Sequence, residues 1–240
     1  PAPWLGTSWK MNKTIGEAEA YARSLAAYAS TRSSTTQWFV VPPFTAIARV
    51  AQILTGTGVL IGAQDVHPEP DGPHTGDISA RMLLDAGATL VEIGHQERRR
   101  DHHEDDVLVR AKVRRTLDSG LRPLVCVGEL GYERSLGAAT STVERQIRVA
   151  LHGLVDDEWD RVVVAYEPAW SIGTDGTPAT PGQVAEVHSV IRHTAHDMGG
   201  AGERVPLLYG GGVRPENTAE LVALADVDGL FVGRAALDVE

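Results

Sequence analysis

Trp4-Leu5-Gly6-Thr7-Ser8-Trp9-Lys10-Met11-Asn12 is the stretch on which the reading of the fold turns. Its first part, Trp4–Trp9, is a short and mostly apolar run, too short for a helix and suited to a buried strand. A strand that opens a doubly wound dinucleotide-binding sheet normally runs into a Gly-rich turn, where backbone can approach a pyrophosphate. Here the run passes into Trp9-Lys10-Met11-Asn12, which has no such turn.

Similar runs recur at Trp38–Val41, Val59–Ala63, Leu90–Ile93, Leu124–Val127, Val162–Tyr166, Leu207–Tyr209 and Gly229–Val232, mostly bounded by Gly or Pro. Helix-period segments lie between them. Glu17–Tyr28 is Ala-rich, Ala46–Leu54 follows a Thr45 cap, and Asp106–Leu117 carries its basic residues late. Thr142–Leu151, Gly182–Ala195 and Asn217–Leu224 complete the set. Pro181 and Pro215 stand near helix starts, where a missing N–H matters least. Strands alternating with helices read as parallel βα units. An open doubly wound sheet and a closed barrel both fit that alternation, and eight near-equal units without the Gly-rich turn favour the barrel. The expectation is an α/β fold, a (β/α)8 barrel of one domain over residues 1–240. The last run is followed only by Gly233–Glu240, so the eighth outer helix is expected to be short or missing.

The 240 residues match the roughly 250 of a typical single-domain barrel of this kind. A formal net charge of -10 argues against a nucleic-acid partner, which calls for a basic face. It leaves room for an anionic substrate, because a few local donors can hold a phosphate inside an acidic protein. No run approaches the roughly 18 apolar residues of a membrane span. Pro1-Ala2-Pro3-Trp4 has neither a charged n-region nor an apolar h-region, so no signal peptide is expected. The single cysteine, Cys126 between Val125 and Val127, excludes an intrachain disulfide. It reads as a small buried hydrophobe in a reducing, cytoplasmic compartment.

Polar residues at the C-terminal ends of barrel strands build the active site of such a fold. Five ends carry unusual chemistry: Thr7–Asn12, Glu92–Arg99, Ala165–Thr174, Leu208–Val213 and Asp228–Arg234. Lys10 reads either as a snorkelling surface lysine or as a cation over substrate oxygens. His95, after Gly94, reads either as a satisfied structural histidine or as a reacting group. Glu167 ends an apolar strand before Pro168, where a carboxylate is costly unless paired or functional. It is the candidate base for moving a proton between adjacent carbons. His102 and His103 lie beside Glu104, Asp105 and Asp106, where a metal site is conceivable. A helix dipole explains acids before a helix more simply, so no metal is expected there.

With Gly62-Ala63-Gln64-Asp65-Val66-His67, Thr75-Gly76-Asp77-Ile78-Ser79 and Cys126-Val127-Gly128-Glu129, these motifs resemble the triosephosphate isomerase family. The resemblance runs over the whole chain, in order and spacing. It implies a cofactor-free phosphosugar isomerase with Glu167 as base, a neutral His95 donating to the substrate carbonyl, and Lys10 as the cation. It implies that Glu97 fixes Lys10, although Glu97 also reads as an ordinary ion pair with Arg98 or Arg99. Pro168–Thr180 resembles the family's mobile lid, in which Gly173 offers an N–H to phosphate. Asp175-Gly176-Thr177-Pro178 makes that lid one residue longer than the common pattern. Gly211, Gly212 and Gly233 read as backbone that approaches an anion closely, as turns needing positive φ, or as both. The third-unit loop, residues 65–79 with His67 and His74, is the segment that in the family inserts into a partner subunit. There Thr75 reaches toward the neighbour's site, so the resemblance implies a homodimer.

Four positions depart from the family pattern. Ser8 stands for the usual Asn and Gln96 for the usual Ser after the histidine. Gly212 stands for the usual Ser of the seventh-strand motif, and Arg234 for the second Gly of the eighth-strand pair. Ser in place of Asn removes volume, leaves a hydroxyl and admits one extra hydroxymethyl group. Arg234 can supplement phosphate binding lost with the serine. The segments 7–14 and 232–240 are similar to the branch that isomerises four-carbon ketose phosphates, L-erythrulose 1-phosphate to D-erythrulose 4-phosphate. The alternatives are a glycolytic isomerase of glyceraldehyde 3-phosphate and dihydroxyacetone phosphate, or a non-catalytic phosphate-binding relative.

Overall fold

The computed structural model describes residues 2–31, 35–173, 176–199 and 204–238. The strands are β1 (Trp4–Ser8), β2 (Gln37–Val41), β3 (Leu60–Ala63), β4 (Leu90–Ile93), β5 (Arg122–Val127), β6 (Val163–Tyr166), β7 (Leu207–Tyr209) and β8 (Gly229–Val232). All pair in parallel and in sequence order, and β8 returns to β1 with Trp4 opposite Gly229 and Thr7 opposite Val232. The sheet is therefore closed, and the open doubly wound alternative falls.

Closure gives each strand two buried faces, which is why the runs read as nearly continuous apolar sequence. Phe39, Val41, Leu90, Leu124, Cys126, Val163, Ala165, Leu208 and Phe231 fill the barrel interior. Cys126 is buried among them, the role expected from its neighbours. The alternate residues, such as Val40, Val91, Ile93, Val125 and Val164, pack outward with the helices. Side chains along a strand alternate faces, so stepping by two carries the inward face to the barrel mouth. The step from Leu90 reaches Glu92, the step from Ala165 reaches Glu167, and the step from Gly6 reaches Ser8.

The helices are α1 (Ile15–Ser30), α2 (Ile47–Leu54), α3 (Ala80–Asp85), α4 (Gln96–Asp101), α5 (Asp106–Asp118), α6 (Gly131–Ser135), α7 (Ala139–Ala150), α8 (Pro181–Asp197) and α9 (Pro215–Val222). Thr14 with Glu17, and Thr180 with Gln183, close capping boxes at α1 and α8. Pro181 and Pro215 each occupy the first helical position. Thr45 is not the cap of α2. The chain has already wound into a 3-10 turn at Phe44–Ala46 behind Pro43, so Ala46 is the capping residue and no side chain caps it. After β8 the described chain makes one 3-10 turn, Arg234–Ala236. No helix among the described residues is long and apolar enough to cross a membrane.

The helix dipole explains only part of the acidic run. Asp105 does cap α5, accepting the Leu108 N–H at 2.8 Å. Glu104, however, is buried and pairs with Lys112 at 2.6 Å and with Arg98. Lys112 and Arg98 also hold Asp65, at 2.6 and 2.8 Å, and so clamp the start of the third-unit loop.

Candidate active site

The inward step at the mouth places Glu167 where it is only 3% exposed. Two glycines make its position possible. A Cβ on Gly210 would stand 2.7 Å from Glu167 Cγ, and one on Gly128 would stand 2.0 Å from the Glu167 carbonyl oxygen. Burial, and then the charge of Glu92, push the Glu167 carboxyl up to about 8.

His95 follows β4 and caps α4, its Nδ1 accepting the Glu97 N–H at 3.1 Å. A neutral ring that accepts at Nδ1 carries its proton on Nε2. That Nε2 lies 3.3 Å from Glu167 Oε2. Burial first, then the Lys10 ammonium, lower the His95 pKa to about 4, so the ring is a neutral N–H donor near pH 7.

Lys10 sits just past β1 with φ 53, a left-handed conformation uncommon for a side-chain-bearing residue. Gln64 braces it, donating from Nε2 to the Lys10 carbonyl at 2.9 Å and to the Val41 carbonyl at 3.2 Å. The ammonium meets Glu97 Oε1 at 2.9 Å. Burial works to lower its pKa, but Glu167, Glu97 and Glu92 together raise it, so it stays charged. Glu97 is thus the lysine's partner. Arg98 goes to Asp65 and Glu104, and Arg99 to Asp106, so Glu97 is not their ion-pair partner.

Ser8, Lys10, His95, Glu97 and Glu167 open on one cavity of about 800 Å³. Gly173, Gly212, Gly233 and the exposed Arg234 line its other side. Gly212 does have positive φ (58), but Gly211 and Gly233 do not. Gly211 instead provides room, since its Cβ would come 2.3 Å from Ser171 Oγ, whereas a Cβ on Gly233 would meet nothing within 4 Å. Thr75 is exposed and lies off this cavity, in the third-unit loop. In the same loop the rings of His67 and His74 stack at 3.9 Å, and Asp77 approaches His67 Nε2 at 3.7 Å. His102 and His103 join no cluster of three ligand-type side chains among the described residues.

Three side chains to which the sequence assigned no role join the site. Glu92 is 3% exposed and accepts the Ser8 hydroxyl at 2.8 Å. Burial raises its pKa to about 7, against the lowering effect of the Ser8 hydrogen bond and Lys10. Glu129, fully buried, anchors the segment that follows β6: Oε1 accepts from Trp170 Nε1 at 2.8 Å and from Arg134 Nε at 2.9 Å, and its carbonyl takes the Ala169 N–H at 3.0 Å. Arg214 adds a second guanidinium at the cavity rim. Gln96 ties the end of β4 to β5, donating to the Gly128 carbonyl at 2.7 Å. Thr174 and Asp175, on which the expectation of a longer lid bears, fall outside the described residues.

The family model for triosephosphate isomerase matches residues 3–240. The chain belongs to the triosephosphate isomerase family. A neutral imidazole facing a glutamate is that family's own standard arrangement. The L-erythrulose-1-phosphate isomerase of Rhizobium etli is 44% identical over 238 residues, covering 99% of this chain and 88% of that protein. The triosephosphate isomerase of Xanthobacter flavus is 46% identical over 237 residues, covering 98% and 92%. The crystal structure of triosephosphate isomerase from Bartonella henselae superposes with a TM-score of 0.89 at 39% identity, covering 99% and 94%. As a member of the triosephosphate isomerase family the chain is an isomerase. Relatives named for two substrates stand at nearly equal identity, so overall similarity does not choose between them.

Proposed function

We propose that this isomerase acts on a four-carbon ketose phosphate, converting L-erythrulose 1-phosphate to D-erythrulose 4-phosphate. The observation that carries the reading is that Ser8, at the position where the family pattern has Asn, lines the same cavity as Glu167 and His95. Space and a hydroxyl are then available for a carbon beyond the reacting pair. The relatives named L-erythrulose-1-phosphate isomerase support the same choice.

In this reading Glu167 removes the proton from the hydroxyl-bearing carbon next to the ketone. The electrons of that C–H bond form the enediolate, with negative charge developing on the former carbonyl oxygen. The Nε2–H of His95 and the Lys10 ammonium stabilise that oxygen in a buried site, where fixed donors act strongly. Glu167 returns the proton to the former carbonyl carbon, and His95 relays the hydroxyl proton between the two oxygens. The ketone has then moved by one carbon. Glu97 holds Lys10 in place. The Gly173 N–H, the backbone at Gly212 and Gly233, and the Arg234 guanidinium take the phosphate. Residues 65–79 seat a second copy of the chain, with Thr75 toward its site.

The glycolytic reading keeps the same chemistry on a triose, and the Xanthobacter flavus relative favours it. Comparing kcat/KM on L-erythrulose 1-phosphate and on glyceraldehyde 3-phosphate decides between them. The four-carbon substrate is expected to be turned over at least tenfold more efficiently. A triose rate near the diffusional ceiling of about 10⁸–10⁹ M⁻¹s⁻¹ would reverse the assignment.

A further inference from the structure

The interior of the barrel is apolar from its base upward until Glu92, whose carboxylate lies on the inward face two residues above Leu90. Burying a carboxylate there is unfavourable unless it has a task. Its hydrogen-bond partner is Ser8, 84 positions away in the chain and next to it at the mouth. One Glu92 oxygen, one His95 ring nitrogen and one Glu167 oxygen lie within 4.8 Å of one another, so Glu92 is part of the reacting neighbourhood. Yet Ser8 lines the cavity and Glu92 does not. The serine is thus the carboxylate's link to the cavity.

A serine hydroxyl has one proton and two lone pairs. An ionised Glu92 can only accept, so the serine proton goes to it and only lone pairs remain for the cavity. Such a wall accepts a hydrogen bond and gives none. It suits a substrate hydroxyl and offers nothing to a carbonyl or enediolate oxygen, so it discriminates by what it withholds as well as by what it provides.

We infer that Ser8 and Glu92 form a specificity subsite for a hydroxymethyl group one carbon beyond the reacting pair, Ser8 touching the hydroxyl and Glu92 setting the serine's polarity from behind. This rests on the four-carbon reading above for the group it binds. Ser8 is the contact and Glu92 a positioning residue that acts through it.

The test uses two unreactive polyol phosphates, erythritol 4-phosphate and glycerol 3-phosphate, as competitive inhibitors, so that selectivity is read without turnover. The wild type is expected to bind the four-carbon polyol more tightly. Ser8→Ala removes the acceptor, and Glu92→Leu frees the serine proton. Each is expected to erase about a tenfold preference while changing glycerol 3-phosphate inhibition less than threefold. Glu92→Gln keeps an oxygen that accepts the Ser8 proton and is expected to retain most of the preference. A merely structural Glu92 would weaken both ligands together. The inference is overturned if Ser8→Ala or Glu92→Leu keeps the preference, if both ligands lose equally, or if Glu92→Gln loses as much as Glu92→Leu. A wild type that prefers the four-carbon polyol but turns over only triose phosphate loses the substrate reading and keeps the subsite. A wild type without the preference loses the subsite, whatever it turns over.

Discussion

His95 Nε2 stands 3.3 Å from Glu167 Oε2. The two groups are held in opposite states from those their solution behaviour favours in weak acid. Burial keeps the imidazole neutral down to about pH 4, and burial with Glu92 keeps the carboxyl protonated up to about pH 8 in the empty site. The base must be ionised to accept a proton, so the sign is fixed: kcat/KM, which reports the free enzyme, rises with pH through the raised carboxyl ionisation. We expect an acidic limb well above the ordinary carboxylate range. Glu92→Gln removes a neighbouring negative charge and should move that limb to lower pH. A limb that stays in place in Glu92→Gln would mean that Glu92 does not act on Glu167.

Gly210 is what allows Glu167 its position, with a Cβ there coming 2.7 Å from Glu167 Cγ and 2.9 Å from Oε1. Gly210→Ala should displace the carboxylate by a fraction of an ångström to an ångström. A displacement of that size costs on the order of 10²-fold in kcat, whereas the overpacking costs stability by about 1–3 kcal/mol. Steady-state kinetics together with a urea melt separate the two effects. Near-normal kcat in Gly210→Ala would show that the base tolerates movement.

Much of this arrangement is legible in the sequence. The strands were legible because closure buries both faces, so each is a short apolar run, and Lys10, His95 and Glu167 stood out as polar groups where such runs end. The short helix α4 was not legible: Gln-Glu-Arg-Arg-Arg-Asp has no apolar period, and its winding depends on the His95 cap and on pairs such as Arg99 with Asp106. Glu92 could have been found by stepping in twos from Leu90, since a carboxylate on the inward face of a buried strand is anomalous. Its partner Ser8 could not, because nothing local joins positions 84 residues apart. Thr45 misled because Pro43 starts a 3-10 turn ahead of α2.

The buried charge cluster under the third-unit loop gives a stability prediction. Lys112 is 4% exposed and holds both Asp65 and Glu104 at 2.6 Å. Lys112→Met keeps the bulk but leaves Asp65 and Glu104 to Arg98 alone, and should destabilise by about 1–3 kcal/mol in urea unfolding. Arg148→Ala, which breaks an exposed i,i+4 pair with Glu144, should cost less than about 1 kcal/mol. Equal effects would remove the distinction between the clamp and an ordinary surface pair.

In the proposed reaction Glu167 carries a proton between two adjacent carbons of a four-carbon ketose phosphate. Its most direct measurement is deuterium incorporation, followed by NMR, when L-erythrulose 1-phosphate is incubated with the protein in D₂O. We expect deuterium on the carbon that receives the proton in the product, and at least a thousandfold slower incorporation by Glu167→Gln with the fold intact. Incorporation at an undiminished rate in Glu167→Gln, or none by the wild type, would contradict it.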